Sequence, residues 1–367
     1  MQALVSAPGK SILMGEHAAV YGRPALVAAI DRRLRVRMTT TPGRGVRLRL
    51  PQVGLDRTTG WSEVRAYCDR ARDLWSAYHE HPDPESFRRL RGDDPAHLVQ
   101  IALGEAAATV GRSADLELEL DSDIPIGAGF GSSAAMAVAV FDAYLALHHR
   151  ELSPAELHRR TLEVERRQHG QPSGIDHATV IHGGLIWARR TATGEMTIEP
   201  LSGTIPDGLR LFDTGTPAET TGEVVAAVRR RWEAERPRIE TLLDRMAAAT
   251  TTFRARLESA SAAPDEVIAL IRTFESCLEE LGVVPPPVRE IVRRIEARGG
   301  AAKVSGAGAL SGHRAGSVLV YHPRAHEIAT WHELDDWTPL DLRLGAAGAR
   351  REASAARRQL RGTTDDP

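Results

Sequence analysis

The chain has 367 residues, 42% hydrophobic and 26% charged, the balance of a globular protein of about two domains, which excludes a disordered or fibrous chain. Its 47 Lys+Arg against 49 Asp+Glu leave a formal charge of −2, without the basic excess that nucleic-acid binding requires. Cys68 and Cys277 cannot build a disulfide framework and have no metal-ligand spacing. No apolar run reaches the roughly 18 residues of a membrane span, and Met1–Ser6 lacks the features of a signal peptide. A cytoplasmic protein with neither membrane nor nucleic-acid partner is the expectation.

In chain order, Leu34, Val36 and Met38 alternate with Arg33, Arg35 and Arg37; Val46, Leu48 and Leu50 alternate with Arg47 and Arg49. Leu116, Leu118 and Leu120 alternate with Glu117 and Glu119. Period two predicts strands with one wet face, and the Arg-rich and Glu-rich runs can pair across neighbouring strands. Helical patterns over Ala96–Val110 and Ser133–His149 separate them, and Leu185-Ile186-Trp187 reads as a further strand. The second half is helix-rich, with helices expected over Glu219–Ser259 and Pro264–Leu281 and another opened by Pro285-Pro286-Pro287. A strand at Gly316–Tyr321 follows, and the Ala/Arg-rich stretch from Gly345 is expected to fray. The chain is therefore α+β, with a mixed first half.

Three segments carry chemistry. In Ser6-Ala7-Pro8-Gly9-Lys10-Ser11-Ile12-Leu13, a lysine fixed between a glycine and apolar residues can place one positive charge, although alone it also reads as a surface Lys. Gly9-Lys10-Ser11 is not a Walker A motif, because Leu4 stands where its first glycine belongs. In Gly127-Ala128-Gly129-Phe130-Gly131-Ser132-Ser133, alternate glycines expose backbone N–H groups just before a helix, an anion-binding arrangement. Ser132 breaks the G-x-G-x-x-G pattern, so it is no dinucleotide fingerprint. In the third segment Glu165 ends an amphipathic helix and Asp176 follows a Pro-Ser-Gly turn. Two carboxylates beside a phosphate loop suit Mg²⁺ binding and orientation of an attacking hydroxyl. Read alone, Asp176 is an ordinary helix cap and Glu165 a solvated helix position.

Taken together and in this order, the segments resemble those of the GHMP kinase superfamily, and within it the mevalonate kinases. Ala7-Pro8-Gly9-Lys10 with Gly15-Glu16-His17-Ala18, the Gly127–Ala135 loop, and His169-Gly170-Gln171-Pro172-Ser173-Gly174-Ile175-Asp176 each look like a family motif. Lys303–Gly312 occupies the place of the family's C-terminal glycine-rich loop, represented by Gly306, Ala307 and Gly308. It carries Ala309, Leu310 and Ser311 where the family continues with glycines, and Pro217-Ala218-Glu219 lacks the basic residue that many mevalonate kinases have.

The resemblance implies a two-domain fold. An N-terminal ATP-binding domain like the second domain of ribosomal protein S5 would span 1–200, a ferredoxin-like domain 201–345, and a flexible tail 346–367. It implies ATP and Mg²⁺ as cofactors, mevalonate as acceptor, and leaves room for a homodimer. Gly127 to Ser133 would hold the triphosphate, Ser133 and Glu165 the Mg²⁺, and Asp176 would accept or orient the hydroxyl proton. Lys10 would pair with Asp176, while His17 and Thr220 would touch the acceptor. The competing expectations are a sibling kinase for phosphomevalonate, a sugar or homoserine, a diphosphomevalonate decarboxylase, and a non-catalytic nucleotide-binding relative.

Overall fold

The computed structural model describes residues 1–353 except 44, 82, 126–128, 170–171, 192–195 and 260–262. Among these, the first half forms β1 (Gln2–Met14), β2 (Ala25–Thr40), β3 (Val46–Leu50), β4 (Leu55–Thr59), β5 (Leu116–Ser122), β6 (Leu185–Arg190) and β7 (Met196–Leu201). Between them lie helices α1 (Trp61–Glu80), α2 (Pro84–Arg91), α3 (His97–Val110), α4 (Ser132–Leu147), α5 (Pro154–His169) and α6 (Ile175–His182). The second half provides β8 (Leu209–Asp213), α7 (Thr221–Ala234), α8 (Arg236–Glu258), α9 (Pro264–Leu281), α10 (Pro286–Ala297), β9 (Ala301–Ser305), β10 (Ser317–Tyr321), α11 (Ala325–Ile328), β11 (Thr338–Leu340) and β12 (Arg350–Arg351).

The alternating runs become one sheet, in the order β12-β1-β2-β5-β3-β4, with β6 and β7 branching from the first half of β2. Leu34, Val36, Met38, Val46, Leu48, Leu116 and Leu118 are buried on one face. On the other, registered Arg and Glu residues pair as expected, Arg37 with Glu119 at 3.2 Å and Arg47 with Glu117 at 3.3 Å. Alanine-rich α4 lies flat against β1 and β2, its small side chains letting the helix approach the sheet closely. The register of β1 against β2 shifts between Pro8 and Gly9, a bulge immediately before Lys10. Such bulges re-aim the side chains that follow them.

Strands β8 to β11 form a second, all-antiparallel sheet in the order β11-β8-β10-β9. Numbered within this unit, that is 4-1-3-2, with helices after its first and third strands, the ferredoxin-like arrangement. Helices α9 and α10 pack on β9, which also reaches β1 of the larger sheet.

The helical stretch expected over Glu219–Ser259 forms two helices, because Pro237, which has no N–H and cannot continue a helix, sits in the first turn of α8. One expectation needs correction. The stretch 346–353 does not fray. Arg350 and Arg351 pair with Ser6 and Val5 of β1, and the buried Arg33 guanidinium donates to the carbonyls of Ala347 at 2.7 Å and Gly348 at 2.8 Å. Residues 354–367 lie outside the described chain. No helix among the described residues is long and apolar enough to cross a membrane.

Candidate active site

The bulge at Pro8–Gly9 turns Lys10, on β1, across the start of α4. Its backbone N–H donates to the Phe130 carbonyl at 2.9 Å, which fixes the end of the glycine-rich loop against β1. Two glycines make that approach possible. A Cβ on Gly9 would sit 2.9 Å from the Phe130 carbonyl oxygen, and one on Gly131 would sit 2.8 Å from Lys10 Cγ. Gly131 also has φ +72°, a conformation that L side chains rarely adopt.

Gly131 is the N-cap residue of α4, and no side chain caps this helix. The first amides of a helix have no intrahelical acceptor, so the end of this 16-residue helix presents free N–H groups and the positive end of its dipole. Ser132 and Ser133 leave the amides uncapped, and Ser133 Oγ donates to Glu165 Oε1 at 3.0 Å. Of the loop residues expected to bind phosphate, Gly129, Phe130, Gly131, Ser132 and Ser133 are described, whereas Gly127 and Ala128 lie outside the described residues.

Glu165 comes from α5 and is almost wholly buried. Burial alone would push its carboxyl up, but the His177 imidazole 2.9 Å from Oε2, with His169 and the Ser133 hydroxyl, outweighs burial and holds it down at about 2. His177 is itself fully buried. Sequence reading passed over this histidine, although it directly follows Asp176. Among the described residues no cluster of three or more His, Cys, Asp or Glu could hold a metal on its own.

Asp176 is not a helix cap. Gly174, at φ +80°, caps α6, and Asp176 sits inside its first turn. Its Oδ1 lies 3.2 Å from Lys10 Nζ, the lysine side chain 8% exposed and the aspartate 33%. Lys10 and Asp176, 166 positions apart, therefore meet beside the uncapped end of α4.

His17 Nε2–H donates to the Ala307 carbonyl at 2.9 Å, which ties the N-terminal motif to the C-terminal glycine-rich loop. His17 is buried, which lowers its pKa and keeps it neutral. Gly306 and Gly308 have φ of +122° and +73°, and a Cβ on Gly308 would lie 2.2 Å from the Val283 carbonyl oxygen. Thr220 is the N-cap of α7 and shares a capping box with Glu223, to which its side chain bonds. Glu219, just before it, accepts from Leu310 N at 3.1 Å and from Ser311 Oγ at 2.6 Å.

A cation beside a partly exposed carboxylate, a buried acid bonded to a hydroxyl, and an uncapped helix end form one constellation that suits transfer of an anionic group to a hydroxyl. Comparison with known proteins agrees. Residues 97–184, which include α4, Glu165 and Asp176, match the model of the GHMP kinases N terminal domain. The mevalonate kinase of Pyrococcus abyssi is 30% identical over 247 residues, covering 66% of each chain. Other curated mevalonate kinases match over half to two thirds of their own length, as in Methanothermobacter thermautotrophicus at 50% and Thermococcus sibiricus at 67%. A crystal structure of a mevalonate kinase superposes with a TM-score of 0.74 at 18% identity, covering 93% of this chain and 98% of that one. A phosphomevalonate kinase from Streptococcus pneumoniae superposes at 0.66 and 16% identity, covering 95% and 99%. With its four motifs, its two sheets and these relatives, the chain belongs to the GHMP kinase superfamily.

Proposed function

We propose that the protein is a mevalonate kinase, transferring the γ-phosphoryl group of ATP to the mevalonate 5-hydroxyl. The observation that carries this reading is the 3.2 Å contact of Lys10 with Asp176 beside the uncapped N-terminus of α4. The helix amides and the loop ending at Gly131 bind the triphosphate. Asp176, a third exposed, takes the proton of the acceptor hydroxyl as its oxygen bonds to phosphorus and the bond to ADP breaks. Lys10 orients that carboxylate and offsets negative charge growing on the transferred group. The hard oxygen donors of Ser133 and Glu165, one bonded to the other and the acid ionised, fit a Mg²⁺ shared with the triphosphate rather than a cage built by protein alone. When bound, Mg²⁺ neutralises charge between the β- and γ-phosphates.

His17 is assigned to the acceptor, and Thr220 to the same end of the site through the backbone of its capped turn. In this reading 1–200 forms the ATP-binding domain and 201–345 a ferredoxin-like domain, with the site in the cleft between them. The two buried free cysteines suit a reducing cytoplasm. A sibling kinase is the second reading. It is favoured by the Pro217-Ala218-Glu219 segment, which lacks the basic residue of many mevalonate kinases and whose carboxylate bonds Ser311. A coupled assay with Mg-ATP and mevalonate, phosphomevalonate, galactose or homoserine decides between them. Turnover with mevalonate at least tenfold above the others supports the first reading, and preference for any other acceptor overturns it.

A further inference from the structure

Of the 47 basic residues in the chain, 45 are arginines; the two lysines are Lys10 and Lys303. Both are buried, at 6% and 0% exposure. Lysine differs from arginine in its compact, freely rotating ammonium, which fits where a planar guanidinium does not. In a chain with this bias, each surviving lysine marks a place where that difference matters. Asp176 accounts for Lys10, but nothing in the site described so far accounts for Lys303.

Lys303 lies in the middle of β9, in the second sheet. Its Nζ bonds the Glu16 carboxylate and the Val304 carbonyl, the latter at 2.8 Å, and stands 5.3 Å over the Phe274 ring. Glu275 holds the same strand from behind, Oε2 accepting from Val304 N at 3.0 Å. A buried ion pair of this kind is a poor source of stability, because desolvating two charges offsets most of their attraction.

What the pair holds is unusual. The Glu16 carbonyl accepts from Ala18 N at 2.5 Å, so Glu16–Ala18 is a γ-turn centred on His17. His17 has φ +57° and ψ −46°, the rare and strained form of that turn, and only one other non-glycine residue among those described has positive φ. Such a conformation persists only where its surroundings over-determine it. Here one strand and loop supply both restraints, since Lys303 grips the Glu16 side chain and Ala307, four residues on, grips the His17 imidazole.

We infer that Lys303 is a positioning residue, which through the Glu16 carboxylate holds the strained turn that sets His17 against Ala307 at the acceptor end of the site. The inference rests on the reading of His17 as an acceptor contact, and its consequence is specific. Loss of the anchor weakens acceptor binding and leaves nucleotide binding unchanged.

The test compares Glu16→Gln with the double variant Glu16→Leu/Lys303→Met. Glutamine keeps an oxygen for Lys303 without the charge, whereas the double variant replaces the pair by apolar side chains of similar volume, a change that buried ion pairs often tolerate. The double variant is expected to keep the wild-type Tm and an ATP KM within about twofold, while its mevalonate KM rises at least about tenfold. Glu16→Gln is expected to stay within about threefold of wild type in mevalonate KM. The Nε2–H proton of His17, read by imidazole ¹⁵N–¹H correlation, should be protected in wild type and Glu16→Gln and lost in the double variant. Unchanged mevalonate KM and imidazole signal in the folded double variant would make the pair merely structural. An equal KM rise in Glu16→Gln would instead put Glu16 itself on the substrate; either result overturns the inference. Should the double variant not fold, Glu16→Asp, one methylene shorter with the same charge, must drag the turn toward Lys303. The same split between the two KM values is then expected, and its absence is refuting. If wild type phosphorylates none of the acceptors, the functional reading has failed, and the imidazole signal alone decides the positioning role.

Discussion

Replacing Lys10 with Met, alone and together with Asp176→Asn, tests the centre of the proposed site. At the observed 3.2 Å, two unit charges attract by about 5 kcal/mol in an effective dielectric of ~20. Asp176 is a third exposed, so water screens part of this and can solvate the aspartate once the lysine is gone. The folded state should therefore lose no more than about 1–2 kcal/mol on Lys10→Met, measured by urea unfolding. The rate should fall much further, because the charge lost is one that acts on the transition state. A loss of about 10²–10³ in kcat is the expectation, close to 3–4 kcal/mol and well above the stability cost. Asp176→Asn should lower kcat by about 10²–10⁴ with nucleotide affinity nearly intact. Since the two side chains act on the same proton and the same phosphoryl group, the double variant should be little slower than the slower single one. Steady-state kinetics on the four proteins complete the cycle. Effects that simply multiply would mean that the contact at 3.2 Å has no part in the reaction, however close the atoms lie.

Three further outcomes follow from the same geometry. Ser133→Ala and Glu165→Gln should each raise the Mg²⁺ concentration for half-maximal activity, and unchanged midpoints in a magnesium titration of both would remove them from the metal site. Gly131→Ala should lower kcat by about 10² or more, because its Cβ meets Lys10 Cγ at 2.8 Å with φ at +72°; wild-type kinetics would show that the loop and Lys10 do not meet as described. Burial pushes the Glu275 carboxyl up to about 8, so the folded chain keeps a proton that the unfolded chain releases. Stability should then fall as pH rises from about 4.5 to about 8, by up to ~1.4 kcal/mol per unit, and Glu275→Gln should remove that part of the slope. Parallel pH profiles of unfolding free energy for the two proteins would refute it.

Strands with one wet face were legible in the sequence because their alternation records a physical asymmetry, and the Arg–Glu ladder on β2, β3 and β5 follows from it. The first strand was not legible as a strand. Nearly every position of Gln2–Met14 is buried, so the period of two is absent, and its Gly, Lys and Ser read as a motif instead. Helix α1 buries Trp61, Val64, Cys68 and Ala71 in a regular stripe, yet the charged residues between them hide the pattern. Arg33 looked like one more exposed arginine of an alternating run, and only the fold shows it gripping the returning C-terminal segment. At the site, the glycines, Lys10, Ser133, Glu165 and Asp176 were visible because each type is chemically restricted in its motif. The Glu16–Lys303 pair was not visible, since a contact across 287 positions leaves no local pattern, and His177 was missed because Asp176 beside it carried the motif. The scarcity of lysine was the one signal that could have marked Lys303.

The two places where this chain leaves the mevalonate kinase pattern turn out to be one feature. In the C-terminal loop, Gly306, Gly308 and Gly312 all have φ between +73° and +122°, the region that favours glycine. Ala309, Leu310 and Ser311 do not, so side chains enter the loop only where the backbone accepts them without strain. One of those side chains is then used. Ser311 Oγ and the Leu310 amide converge on the carboxylate of Glu219, in the Pro217-Ala218-Glu219 segment that lacks the basic residue of many mevalonate kinases. The Ser311 hydroxyl, more than any other contact, lowers the pKa of that carboxyl, so the acid stays ionised and the bonds stay charge-assisted. A lysine or arginine at that position could accept from neither group, and a glycine at 311 would leave the acid only the backbone amide. The serine and the glutamate thus make sense together and not singly. Together they fasten the loop on the side away from His17, while the Ala309 amide bonds the Val283 carbonyl at 2.9 Å between them. The loop is thus held at Ala307, Ala309 and Leu310–Ser311 by contacts within the protein.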